Sequence, residues 1–237
     1  MLFSCSLPLH KTLQMKNFLL CLLLISTIFS CKQSENKEQV KIESQSVQQK
    51  IASANGIDNW KYVKEIQFTF NVDRDTTHFE RAWTWNPKTD DVTLRTAQDT
   101  VIYNRKFVDS SFVDADKAFI NDKFWMLAPF QLVWDTSATV SDPKVVEAPI
   151  SKLKLNKITL TYPNEGGYTP GDAYDFFYDD NFMVKEWNYR KGNADTPTIS
   201  TSWEDYEGFN GIKISKTHQK PNEKWKLYFT AIKVVKE

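Results

Sequence analysis

Along most of this chain hydrophobic and polar residues alternate, and the places where the period changes mark its elements. Val40, Val47, Ile51 and Ala54 recur at helical spacing and predict a helix that stops at Asn55-Gly56. From Tyr62 the period becomes two. Ile66, Phe68, Phe70 and Val72 alternate with Gln67, Thr69 and Asn71, which predicts a strand with one apolar and one polar face. His78 to Trp85 repeats the pattern, with Phe79, Arg81, Trp83 and Trp85 on one side. After the turn chemistry of Asn86 to Asp90, Val92 to Ala97 and Thr100 to Asn104 predict two short strands. Asp114 to Leu127 returns to a helical pattern. Asp114 and Asp116 lie at its N-terminus, where negative charge is favoured, and Pro129 is its expected stop.

Trp134 to Pro149 reads as a long loop. Strands are then predicted at Leu153 to Tyr162, Ala173 to Asp179, Phe182 to Arg190, Thr198 to Tyr206, Ile212 to Gln219 and Trp225 to Val235. Asp180-Asn181, Lys191-Gly192-Asn193, Phe209-Asn210-Gly211 and Pro221-Asn222 supply turns between them. Strands in close succession imply antiparallel neighbours rather than βαβ units. The expected fold is therefore mainly β (α+β), with about ten strands, an N-terminal helix and a central helix.

The first 31 residues follow a different logic. From Met15, Lys16 supplies a short positive region, and Phe18 to Phe29 form an apolar run broken only by Ser26 and Thr27. Ser30 is the small residue before Cys31. This is the layout of a secretory signal, too short for a comfortable membrane span. Ile28-Phe29-Ser30-Cys31 resembles the lipobox of bacterial lipoproteins in its relaxed form. That resemblance implies cleavage before Cys31 and acylation of its thiol, with two or three acyl chains giving a stable anchor. Residues 1–14 read as an upstream, mis-started extension, since Met15 alone begins a complete signal. The expected organisation is a signal peptide over 1–30, a lipidated tether rich in Gln, Ser, Glu and Lys over 31–46, and one domain over 47–237.

Composition sharpens this picture in two ways. Lys plus Arg equals Asp plus Glu at 30 each, so no global field favours nucleic acid. Losing the residues before Cys31 removes Lys11 and Lys16 and no acid, which leaves the remainder faintly acidic. All three cysteines lie within the first 31 residues, so the domain has neither a disulfide nor a cysteine metal site and depends on its core. That core has ample material in 16 Phe, 9 Tyr and 8 Trp, enough to leave aromatic surface for a ligand.

Three local patterns carry a wider resemblance. They are the helix ending in Asn55-Gly56 before Trp60, the segment Phe124-Trp125-Met126-Leu127-Ala128-Pro129-Phe130, and the strand Ile158 to Tyr162 followed by Tyr168-Thr169-Pro170-Gly171-Asp172-Ala173-Tyr174-Asp175. Together with the strand–helix–strand order they resemble the lipoprotein-localisation (LolA/LolB-like) fold, and within it a group of uncharacterised Bacteroidota lipoproteins. The resemblance implies a curved antiparallel half-barrel covered on its concave side by helices. It also implies a lipid or lipoprotein ligand, and a place in the cell envelope, with the outer membrane expected and the leaflet open. A monomer without cofactor is expected.

On that plan Trp83, Trp85, Trp125, Met126, Phe130, Trp134, Trp187 and Trp203 are the candidates to line a concave apolar site, against the alternative that they fill the core. Arg81 reads inward among them. It is placed either to hold a ligand head group, to lock the helix to the sheet, or to reach solvent or a local acid. Catalytic motifs are missing: there is no HExxH, GxSxG or phosphate-cradling glycine loop. His78 and His218 fall near strand ends, outside any recognisable acid–base constellation, and no enzyme is expected. The rival function is an envelope interaction or glycan-binding domain with a solid core, which exposed tryptophans would favour.

Overall fold

The computed structural model describes residues 45–166 and 169–237. The N-terminal helical stripe becomes α1 (Val47–Ala54), opened by a capping box in which Ser46 and Gln49 satisfy each other's backbone N–H. Asn55 caps its end, and Gly56 takes a left-handed φ of 91°. A side chain there is excluded for a second reason. A Cβ on Gly56 would lie 1.9 Å from the carbonyl oxygen of Gly211, in the turn between two late strands. Val40, Cys31, the signal and the tether up to residue 44 lie outside the described residues.

Among the described residues thirteen strands form two antiparallel sheets, neither closed into a barrel. Four of the first sheet's strands come early: β1 (Val63–Arg74), β2 (Thr77–Asn86), β3 (Asp91–Arg95) and β4 (Thr100–Asn104). The last three elements, β11 (Glu204–Phe209), β12 (Ile212–Gln219) and β13 (Trp225–Lys236), return to it. The order is β11-β12-β13-β1-β2-β3-β4, with β1 and β13 paired along most of their length. The second sheet runs β10-β9-β8-β7-β5, from β10 (Ile199–Ser202), β9 (Val184–Arg190), β8 (Ala173–Tyr178), β7 (Lys154–Thr161) and β5 (Thr139–Val140), and β6 (Lys144–Glu147) also pairs with β7. The architecture is the open, mainly antiparallel one expected, with a long helix laid against the sheets.

Three expectations are corrected. The stretch from Trp134 to Pro149 is not all loop, since β5 and β6 both add to β7 there. The single strand expected over Thr198 to Tyr206 is two. β10 pairs with β9, but after Trp203 the chain pairs with β12, so it leaves one sheet and enters the other. Asp205 just beyond has a positive φ of 54°, the kind of local bend by which strands change sheets. Finally, the central helix α2 runs Val113–Trp134 and does not stop at Pro129. It breaks at Leu127 (φ −122°, ψ 23°), two residues before the proline. Pro129 has no N–H and its ring crowds the carbonyl four residues back. With the break at Leu127 the proline falls in the first turn of a new helical segment, where no N–H is required.

Helix α2 is apolar on two sides because it is packed on two sides. Phe119, Met126, Leu127 and Phe130 enter a core with Phe68, Phe70, Trp83, Trp85 and Phe229 of the first sheet. Phe124, Ala128 and Leu132 enter a second core with Ile158, Leu160, Phe176 and Trp187 of the second sheet. Ile51 and Ala52, neighbours on α1, divide in the same way between the two cores and are both fully buried.

Candidate functional site

Two buried acids fix how α2 sits on the first sheet. Asp122, fully buried, accepts from Arg81 Nε at 2.9 Å and from its terminal nitrogen at 2.6 Å, and from Trp83 Nε1 at 2.8 Å. Burial pushes its carboxyl up, and Arg81, Asn121 and Trp83 pull it back. Six residues earlier Asp116 accepts from Arg105 Nε at 2.8 Å and from the Tyr103 hydroxyl at 3.1 Å. Of the readings open for Arg81, the geometry is that of a tie between helix and sheet, with the guanidinium also over the Phe70 and Phe79 rings. Asp122 was missed in the sequence, where it is one more acid on a helix. Asp116 was read only as a favourable N-terminal charge.

Between α2 and the second sheet lies a cavity of about 830 Å³, within the range of small-molecule sites, about 300–1,000 Å³. Its aromatic wall is Phe124 and Trp125 of α2, Tyr162 after β7, Tyr174 of β8, and Trp187 and Tyr189 of β9. The strand residues share one face because Tyr174 pairs with Tyr189, and Phe176 with Trp187, across the β8–β9 register. Tyr174 is in ring contact with Phe124, Trp187 and Tyr189 at centroid distances of 4.5, 5.3 and 5.2 Å. Burial raises the Tyr162 and Tyr174 hydroxyls well beyond their usual range. Tyr189 is raised to about 12, by burial first and then by its 2.8 Å hydrogen bond to Asp172. All three are neutral at physiological pH. Asn121, Lys123 and Gln131 of α2, with Asp135 at its end, add polar groups to the same cavity.

Of the residues singled out in the sequence, Trp125 and Trp187 line this cavity. Trp203 is buried directly behind Trp187, at 5.5 Å between ring centroids. Trp83, Trp85, Met126 and Phe130 are at most 5% exposed and belong to the core under the first sheet. Trp134 is half-buried, packed on Trp60 and Phe130. The hollow therefore faces the second sheet, while α2 fills the first. Tyr162, Tyr174 and Tyr189 were missed as site residues. Their signal was present in the alternation of Tyr174 with Phe176 and of Trp187 with Tyr189.

Neither His78 nor His218 joins the cavity. His218 is fully buried in a ring of aromatics, 4.6 Å from Trp203, 5.4 Å from Trp125 and 6.0 Å from Phe229. Its Nδ1 donates to the Ser202 carbonyl at 3.2 Å, Nε2 has no hydrogen-bond partner, and burial pulls its pKa down to about 3. His78 stands beside two acids, Asp73 at 2.7 Å and Glu80 at 3.4 Å, both of which raise its pKa. That trio lies on the exposed β1–β2 hairpin and not in a cleft, so it offers no enclosed reaction site. Among the described residues no cluster of three or more His, Cys, Asp and Glu is placed to hold a metal ion.

No family model and no curated protein matches the chain. Solved structures do. A LolA superfamily protein from Nitrosomonas europaea aligns over 82% of this chain and 96% of its own, at 8% identity and a TM-score of 0.47. A DUF1329 family protein from Desulfovibrio piger covers 81% and 94%, at 10% identity and a TM-score of 0.44. The lipoprotein LppX of Mycobacterium tuberculosis covers 77% and 94%, at 8% identity and a TM-score of 0.25. Likeness at this level says nothing of ligand or role.

Proposed function

We propose that this protein is a lipoprotein of the cell envelope, cleaved before Cys31 and acylated there, whose domain binds an apolar or amphipathic ligand beneath α2. The ligand class is a lipid or the acyl chain of a lipoprotein, and the expected membrane is the outer one. The observation that carries this reading is the aromatic cavity between α2 and the second sheet, left open although neighbouring tryptophans are fully packed. Burying an acyl chain contributes about 0.8 kcal/mol per methylene. A 16-carbon chain thus supplies on the order of 10 kcal/mol before ordering costs. None of the eight tryptophans is exposed, so the rival surface glycan-binding reading gains no support from them.

Delipidated protein titrated with a fluorescent fatty-acid probe is the direct test. Saturable uptake with energy transfer from Trp125 and Trp187 is expected, and absence of uptake would remove the ligand-binding reading. The anchor is tested separately: Cys31→Ala should move the protein to the soluble fraction, and unchanged membrane retention would remove acylation.

A further inference from the structure

The cavity has a buried cation that no described carboxylate pairs with. Lys123 lines it and is only 9% exposed. Among the described residues no carboxylate lies within ion-pairing distance of its ammonium. Its neighbours are instead the faces of Trp85 at 5.6 Å and Trp134 at 5.9 Å. These cation–π contacts offset part of the desolvation cost, and no described residue accepts a hydrogen bond from Lys123 Nζ, which lines the cavity. The other cations packed against α2, Arg81 and Arg105, are already paired with Asp122 and Asp116. The cavity's acids make no ion pair with Lys123: Asp135 acts on it only at longer range and accepts from the Ser137 amide and hydroxyl, and Glu165 is exposed. An unpaired buried ammonium beside an aromatic wall is a receptor for an anion that carries a greasy tail.

Resting on the reading that the cavity binds an amphiphile, we propose that its occupant is an anionic one, whose carboxylate or phosphate head pairs with Lys123 while its chain lies along Phe124, Trp125, Tyr174 and Trp187. The head contributes selectivity and the chain most of the affinity. Burial, with Arg105 adding repulsion, holds the Lys123 pKa down to about 8, against the weaker pull of Asp116, Asp135 and Asp90. Lys117 and Glu165 also face the cavity. In the empty protein Lys123 therefore sheds its proton above about pH 8, and an arriving anion must first restore it. Affinity for an anionic head falls as pH rises through that value, and affinity for a neutral one does not.

The experiment compares dodecanoate, dodecyl phosphate and dodecanol on the purified full-length protein, read by tryptophan fluorescence. Either anion is expected to bind about tenfold or more tightly than the alcohol at pH 7, and the stronger of the two identifies the head. Lys123→Met should erase the preference, bringing the anions to within about twofold of dodecanol, and Lys123→Arg should keep it. Equal affinity for anions and alcohol, or a preference that survives Lys123→Met, overturns the assignment while leaving the cavity's apolar function standing. Failure of all three ligands overturns both. If Lys123→Met does not fold, the wild-type preference measured from pH 7 to pH 10 decides, since a flat profile contradicts a role for this ammonium.

Discussion

Single residues carry two charge-dependent features of this domain. The Arg81–Asp122 pair joins a guanidinium with 21% side-chain exposure to a carboxylate with none. Truncating the cation strands the acid in the core, and Arg81→Met is expected to cost about 3 kcal/mol in urea unfolding. Arg81→Met combined with Asp122→Leu should cost clearly less than the single changes added together, because no buried charge is then left alone. Additive losses would mean that the pair does not act as a unit. His218 produces the second feature. Its pKa is lower in the folded protein than in the unfolded chain, so as pH falls from about 6.5 the unfolded state takes up the proton first. Stability is lost over that window, down toward about pH 3. Between pH 7 and pH 5 the wild type should lose about 2 kcal/mol more than His218→Phe. Equal losses would show that the imidazole is already accessible to protons.

At the scale of the elements, α2 is the informative one. A proline within a continuous helix costs about 3 kcal/mol or more. Pro129, placed in the first turn after the Leu127 break, carries little of that cost. Pro129→Ala should therefore change stability by less than about 1 kcal/mol, measured by chemical denaturation. A gain near 3 kcal/mol would show that the proline strains the helix instead of starting its second segment. The strands tell a similar story. Tyr62 to Val72 and the Trp83–Trp85 end of the next strand were legible from alternation because one face is buried and the other is not. The two-residue β5 was not, since two residues have no period, and the change of sheet at Trp203 was hidden because the alternation runs through it. The break in α2 was partly visible in Pro129, but sequence signals distinguish poorly between a stop and a kink, both of which begin with the same lost hydrogen bond.

For the molecule as a whole, the two faces of α2 have different duties. Phe130 belongs to the solid core under the first sheet, and Trp125 to the open side. Phe130→Ala should cost about 3–5 kcal/mol and leave the affinity for a fatty-acid probe unchanged. Trp125→Ala should weaken that affinity with a smaller loss of stability, since this ring is only partly buried. The reverse pattern would place the binding site on the first sheet.

The order of local periods along the chain determined that this is an antiparallel, mainly β domain with two helices, because alternation and helical spacing are properties of neighbours in sequence. It also named an aromatic set large enough to fill a core and line a cavity. Tertiary structure alone decided how that set is divided, leaving Trp83, Trp85 and Phe130 packed under the first sheet, and Trp125 and the buried Trp187 along the cavity wall. It also decided which charges met a partner: Arg81 found Asp122 and Arg105 found Asp116, but no described acid came within ion-pairing distance of Lys123. Those outcomes depend on how far α2 stands from each sheet, a distance set by side chains far apart in the chain, and no local pattern encodes it.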